Sequence, residues 1–167
     1  MVAMNRSGGI GVMFKIVLED YNCMFVGKGA TYWHTDQLTH EERMYERLSA
    51  LQGYCIPVSL GYIELDTPRP IFPQGDIADL LLLSWAGVPL QDSPMSEKDL
   101  QREIDPSLGV IRAQGVIHND ERRANLLWNE EKHRVVVIDF NQAEVKPRRR
   151  QVKPRDGKAV YKYQQRG

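Results

Sequence analysis

At 167 residues, with 42% hydrophobic and 26% charged positions, the chain is one ordinary domain with enough apolar material for a core, which excludes wholesale disorder. Lys+Arg and Asp+Glu both number 22, yet from Glu144 onward nine Lys and Arg stand against two acids, so a basic tail follows an acidic body. The two cysteines lack metal-ligand spacing, the run Leu80 to Leu83 is too short for a membrane span, and the N-terminus has no signal-peptide core, so a soluble intracellular protein with reduced thiols and no membrane partner is expected.

No internal repeat is visible. Val12 to Leu18 and Cys23 to Val26 read as strands, with Glu19 to Asn22 as the turn between them. A helix is expected from near Thr39: Leu38, Tyr45, Leu48 and Leu51 recur at helical spacing, and Gly53 stands where a left-handed cap is wanted. Pro57 to Leu60 and Tyr62 to Leu65 predict a short strand pair around Gly61, and the proline-rich stretch Thr67 to Gly75 predicts a loop. Leu80 to Leu83 then reads as a buried strand running into a break at Gly87. Ser96 can cap a helix, and Asp105-Pro106 predicts a helix restart that Gly115 ends. Beyond Lys146 apolar periodicity fades and a disordered tail is expected. Element order alone supports α+β.

The most informative stretch is His118-Asn119-Asp120-Glu121-Arg122-Arg123-Ala124-Asn125, followed by two apolar runs that end in Asp139-Phe140-Asn141. An acid and an amide lie five positions apart on a loop, and a second acid closes the strand pair. Phosphoryl transfer of the kinase type needs that layout: one Asp receives the proton of the acceptor hydroxyl, while the Asn and the other Asp hold magnesium against the ATP phosphates. Alone, Asp120 would read as a turn aspartate satisfying its own loop. Its company weighs against chance.

Taken in order, these motifs resemble the protein-kinase-like superfamily, and within it short fungal kinase-like proteins of the aminoglycoside-phosphotransferase type. The resemblance spans roughly residues 7 to 145. It implies a two-lobed fold with a reduced C-lobe: an N-lobe of about 7–83, a hinge at 84–87, a C-lobe of 88–145, and the basic tail 146–167 outside the domain. Ser7-Gly8-Gly9-Ile10-Gly11 resembles a shortened glycine-rich loop, in which Gly8, Gly9 and Gly11 would lay backbone N–H groups over phosphates. Lys28 resembles the lysine that pairs with the α- and β-phosphates, and Glu41, in preference to Glu42, the glutamate that salt-bridges it. Leu83 and Trp85 would carry the hinge contacts to adenine, with Leu127 as the apolar floor beneath. Asp120 matches the catalytic aspartate, Arg122 the basic residue that would neutralise the transferring phosphoryl group, and Asn125 and Asp139 the metal ligands. His118 matches a packing and hydrogen-bonding position. Each residue also has a plainer reading: a flexible glycine leader, a surface lysine, acids favoured by a helix dipole, a hairpin core leucine, a solvent-facing arginine.

Some positions depart from the pattern. Asn119 and Glu121 replace commoner residues around Asp120, and Glu121 adds negative charge close to a phosphate site. Asn141 stands where glycine usually follows Asp-Phe, and no Ala-Pro-Glu element follows. The expected function is an ATP- and Mg2+-dependent phosphotransferase acting on a hydroxyl acceptor, a small molecule ahead of a protein. The alternative is a catalytically degenerate, nucleotide-binding pseudokinase or partner-binding scaffold. Arg148-Arg149-Arg150 reads as a solvated tail or nuclear-import signal ahead of specific nucleic-acid readout, although it permits non-specific contact. A cytoplasmic location is expected, or a nuclear one through that tail.

Overall fold

The computed structural model describes residues 2–4, 11–21, 23–71, 75–90, 95–146, 150–152 and 160–162. A run of apolar and β-branched residues makes Val12–Leu18 (β2) a strand with Val12 and Phe14 turned inward, and it pairs antiparallel with Cys23–Thr31 (β3) from Val12↔Gly29 to Leu18↔Cys23. Val2–Met4 (β1) pairs with the other side of β2. Strand β3 pairs antiparallel with Gly75–Ser84 (β5), which is flanked on its other side by Ser59–Ile71 (β4), giving an antiparallel sheet of order β1-β2-β3-β5-β4.

The predicted strand pair across residues 57–65 is one long strand, β4, and its partner is β5. Gly61 marks a register shift instead of a turn. The loop expected over 67–75 is strand as far as Ile71. Pro68 and Pro70 are tolerated there because β4 lies at the sheet edge, where a missing N–H breaks no ladder on the outer side.

Helix α1 spans Thr35–Arg47, starting one turn before the expected Thr39. Leu38, Glu41 and Tyr45 are buried at i, i+3 and i+7, joined by Met44, and pack against Leu81 and Leu83 of β5. The Leu48 N–H closes the helix on Met44 O at 3.0 Å, and a 3₁₀ turn at Ser49–Leu51 follows. Gly53 therefore does not cap α1: it turns the chain beyond that 3₁₀ turn, its N–H donating to Ile56 O at 2.9 Å.

Ser96 caps helix α2 (Glu97–Ala113), its Oγ accepting from the Asp99 N–H at 3.3 Å. The helix runs unbroken through Pro106, where a restart was expected. Proline removes one amide donor, and the buried residues Leu100, Ile104, Leu108 and Ile111 on a single face hold the two halves together. Next to the proline, Ser107 Oγ donates to Val135 O at 2.6 Å, tying α2 to the second sheet. Three short strands, Val88–Pro89 (β6), Leu126–Asn129 (β8) and Arg134–Val137 (β9), form the second sheet in the order β6-β8-β9. Val116–Ile117 (β7) pairs with Glu144–Val145 (β10). In the tail, Arg150–Val152 (β11) and Val160–Lys162 (β12) pair antiparallel, where no element was expected.

One core runs from α1 through β5 to α2, β9 and Phe140. Both cysteines are free. Cys23 is exposed; Cys55 is buried, and burial pushes its thiol up to about 11. Among the described residues no helix is long and apolar enough to cross a membrane.

Candidate active site

Strand alternation sets Val26 and Lys28 on one face of β3, toward α1 and the loops beyond. Lys28 is buried, and its Nζ lies 2.6 Å from Glu41 Oε2 on α1 and 2.6 Å from Asp139 Oδ1. Glu41 is also fully buried, and its Oε1 accepts the Phe140 N–H at 3.3 Å. Two carboxylates thus share one ammonium. Burial works against the charge of Lys28, but Glu41 and Asp139 outweigh it and its pKa is raised. Burial likewise raises Glu41, offset in part by Lys28 and reinforced by the negative charge of Asp139. Glu42, half-buried on the next position, has its pKa raised by burial and then by Glu46.

The loop after β7 is built around His118, which is buried and placed edge-on to Phe140 at 4.8 Å between ring centroids. His118 Nδ1 accepts the Asp120 N–H at 3.2 Å, which assigns the proton to Nε2 and makes Nε2 the donor to Ile138 O at 2.8 Å. Phe140 in turn meets Tyr45 of α1 at 5.3 Å, so α1, the loop and the segment after β9 share one aromatic column. Asp120 Oδ2 accepts from Asn125 Nδ2 at 2.8 Å and pairs with an Arg122 guanidinium nitrogen at 3.0 Å. The β8–β9 hairpin brings Asn125 beside Asp139, since Leu126 pairs with Val137 and the Ile138 N–H donates to Asn125 O at 3.0 Å. Asn119 (φ +63°) and Asp139 (φ +66°) both adopt left-handed backbone, which asparagine and aspartate tolerate better than most residues. Strain of this kind persists where surrounding contacts over-determine it, as the hydrogen bonds on both flanks do here.

A cleft of about 290 Å³ opens between the five-stranded sheet and this loop. Gly11, Lys28, Glu41, Leu83, Trp85, Arg122, Leu127, Asn125 and Asp139, all expected on sequence grounds, line it. Asp120 is joined to two of the lining residues, Asn125 and Arg122, and stands beside the cleft rather than on its wall. Gly8 and Gly9 lie outside the described residues. Leu83 sits in the ladder between β3 and β4, so the chain leaves the sheet only at Ser84. There the Ser84 N–H donates to Val58 O and the Val58 N–H donates to Ser84 Oγ, both at 2.9 Å. Lys15 Nζ stands 5.7 Å from the Trp85 ring centroid.

Sequence reading missed the apolar wall made by Met13, Val26, Pro57, Pro89 and Ile138. The two-residue period was a usable signal for Val26, which must share a face with Lys28; Pro57 and Pro89 carried none. Among the described residues no group of three or more His, Cys, Asp or Glu gathers as a metal centre. Asn125 and Asp139 offer oxygen donors along the cleft, which suits an ion that completes its shell from phosphate and water.

No family model matches the sequence. The solved structure of the ROP18 kinase domain, in complex with AMP-PNP and sucrose, superimposes on 95% of this chain and 57% of that one, with a TM-score of 0.67 and 18% identity. The fold is kinase-like. At 18% identity the likeness concerns fold alone. In sequence, the meiotic driver SPOK2 of Podospora anserina (strain S) is 39% identical over 142 residues, which is 85% of this chain. The chain spans 18% of the length of that relative.

Proposed function

We propose that this kinase-like chain is an ATP- and Mg2+-dependent phosphotransferase that moves a γ-phosphoryl group to a hydroxyl acceptor. The observation that carries the reading is the buried contact of Lys28 with both Glu41 and Asp139 at the wall of a cleft that also holds Asn125. A lysine held by a helix glutamate is a fixed cation for α- and β-phosphates. The cleft volume, about 290 Å³, lies just under the range for small-molecule sites, about 300–1,000 Å³. Asn125 and Asp139 would hold Mg2+, which withdraws charge from phosphate oxygens when bound. Asp120 would orient and deprotonate the acceptor, and Arg122 would face the transferring group. Leu127 would support the base, with Leu83 and Trp85 at the hinge.

On this reading the fold is two-lobed, with 7–83 as the small lobe, 84–87 as the hinge and 88–145 as a reduced second lobe. Among the described residues, the chain between β9 and the tail carries only a 3₁₀ turn and the two-residue strand β10. The preference for a small-molecule acceptor over a peptide rests on the resemblance to aminoglycoside-type phosphotransferases. The test is Mg2+-dependent ATP consumption by the wild type and by Asp120→Asn. Turnover that disappears in the variant supports catalysis; equal, background-level rates remove it.

A second reading, nucleotide binding without turnover, is favoured by one feature. The two aspartates, Asp139 in the cleft and Asp120 beside it, are already satisfied within the protein, Asp139 by Lys28 and Asp120 by Asn125 and Arg122. A rise in melting temperature with Mg-ATP but no consumption would select it, because a ligand of the native state must stabilise that state.

A further inference from the structure

Glu121, next to Asp120, does not add its charge to the cleft. Its two carboxylate oxygens each accept from Arg112 Nη2 at 2.7 Å, and Arg112 belongs to the last turn of α2. On the other side of Asp120, Asn119 Nδ2 donates to Gln142 O at 3.0 Å, in the turn that follows Asp139. The two neighbours of Asp120 are therefore tied to two different elements. One tether runs to the helix beneath the loop, and the other to the segment that carries Asp139. Both use side chains that lie outside the cleft lining.

We infer that Asn119 and Glu121 are positioning residues that bracket Asp120, with Arg112 as the anchor that sets the loop against α2. This rests on the phosphotransferase reading only for its consequence in turnover; the bracket itself is a statement about loop order. Arg112 and Glu121 are partly exposed (47% and 33%), so the pair carries little global stability. One guanidinium nitrogen shared between both carboxylate oxygens holds Glu121 by two charge-assisted contacts, and that restricts a residue whose neighbour must be aimed.

The experiment uses the full chain and three variants: Arg112→Gln, Glu121→Gln, and the charge-exchanged Arg112→Glu/Glu121→Arg. Hydrogen exchange is read at the Asp120 and Asn125 amides, which donate to His118 Nδ1 and Arg122 O in the intact loop. Each single variant should exchange about fivefold faster at these amides, with the melting temperature nearly unchanged and the exchanged pair largely restored. Mg2+-dependent ATP turnover should fall by a similar factor in the single variants, while the KM for ATP holds, and recover in the exchanged pair. Exchange rates in the single variants equal to wild type, or no recovery in the exchanged pair, overturn the bracket. Wild-type ATP consumption no higher than that of Asp120→Asn sinks the phosphotransferase reading instead, and the exchange data still decide the bracket.

Discussion

Lys28 Nζ and Asp139 Oδ1, 111 residues apart in the chain, meet at 2.6 Å and join the five-stranded sheet to the segment behind the β8–β9 hairpin. Glu41 completes the contact from α1, so one ammonium holds three elements in register. The site and the packing of the fold share these groups, and their removal should be felt in both.

Lys28→Met should destabilise the chain by about 3–5 kcal/mol, because it leaves Glu41 buried without its cation. The pH dependence has a definite sign. Burial already raises the folded-state pKa of Glu41, and loss of Lys28 raises it further. Between the ordinary carboxylate value and that raised value the folded state binds more protons than the unfolded state. Stability of the variant should therefore recover as pH falls through this window. Urea midpoints for wild type and variant at mildly acidic and mildly alkaline pH measure it; a pH-independent difference would refute the assignment.

Asp139→Ala should abolish Mg2+-dependent nucleotide binding more completely than Asp120→Asn, which should chiefly lower turnover. Asp139 lines the cleft beside Lys28, whereas Asp120 is held behind Asn125 and Arg122. Titration of nucleotide with and without Mg2+ tests the order, and the reverse ranking would mean the two roles are exchanged.

Tyr62 donates to Asp79 Oδ2 at 2.6 Å and lies 3.3 Å from Thr39 Oγ1, linking β4, β5 and α1. Burial, then the bond to Asp79, raises its pKa to about 12 from 10.0. Its contribution is fully present below the unfolded value and lost as pH rises through the folded one. Melting temperatures of wild type and Tyr62→Phe should differ at neutral pH and converge across the interval from 10.0 to about 12. A constant gap would indicate that Tyr62 acts through packing alone.

Gly87→Ala should cost more than about 1 kcal/mol. A Cβ at this position would stand 2.1 Å from the Trp128 carbonyl oxygen, and the φ of +127° is strained for any side chain. The clash is with backbone, so the β6–β8 pairing must part for it. Both a lower melting temperature and weaker nucleotide binding are expected, since Gly87 lines the cleft; unaltered stability would contradict the close approach.

Local chemistry made much of this chain readable. Apolar runs marked β2 and the start of β3, the Ser96 cap marked α2, and the residue spacing from His118 to Asp139 marked the loop and hairpin. These depend on interactions within a few residues, which is where sequence pattern is informative. Glu41 over Glu42 was also legible, because only Glu41 shares the buried face of Leu38 and Tyr45.

What tertiary structure alone decided are the non-local pairings. Residues 59–71 form one strand because β5 supplies the hydrogen bonds, α2 passes Pro106 because its apolar face is held by the core, and Glu121 turns away from the cleft because Arg112 awaits it on α2. In each case the deciding partner is distant in numbering, so the local pattern contained no record of it. The meeting of Lys28 with Asp139 is of the same kind: spacing nominated both residues, but only the packing of sheet, helix and hairpin brought their charges within one bond.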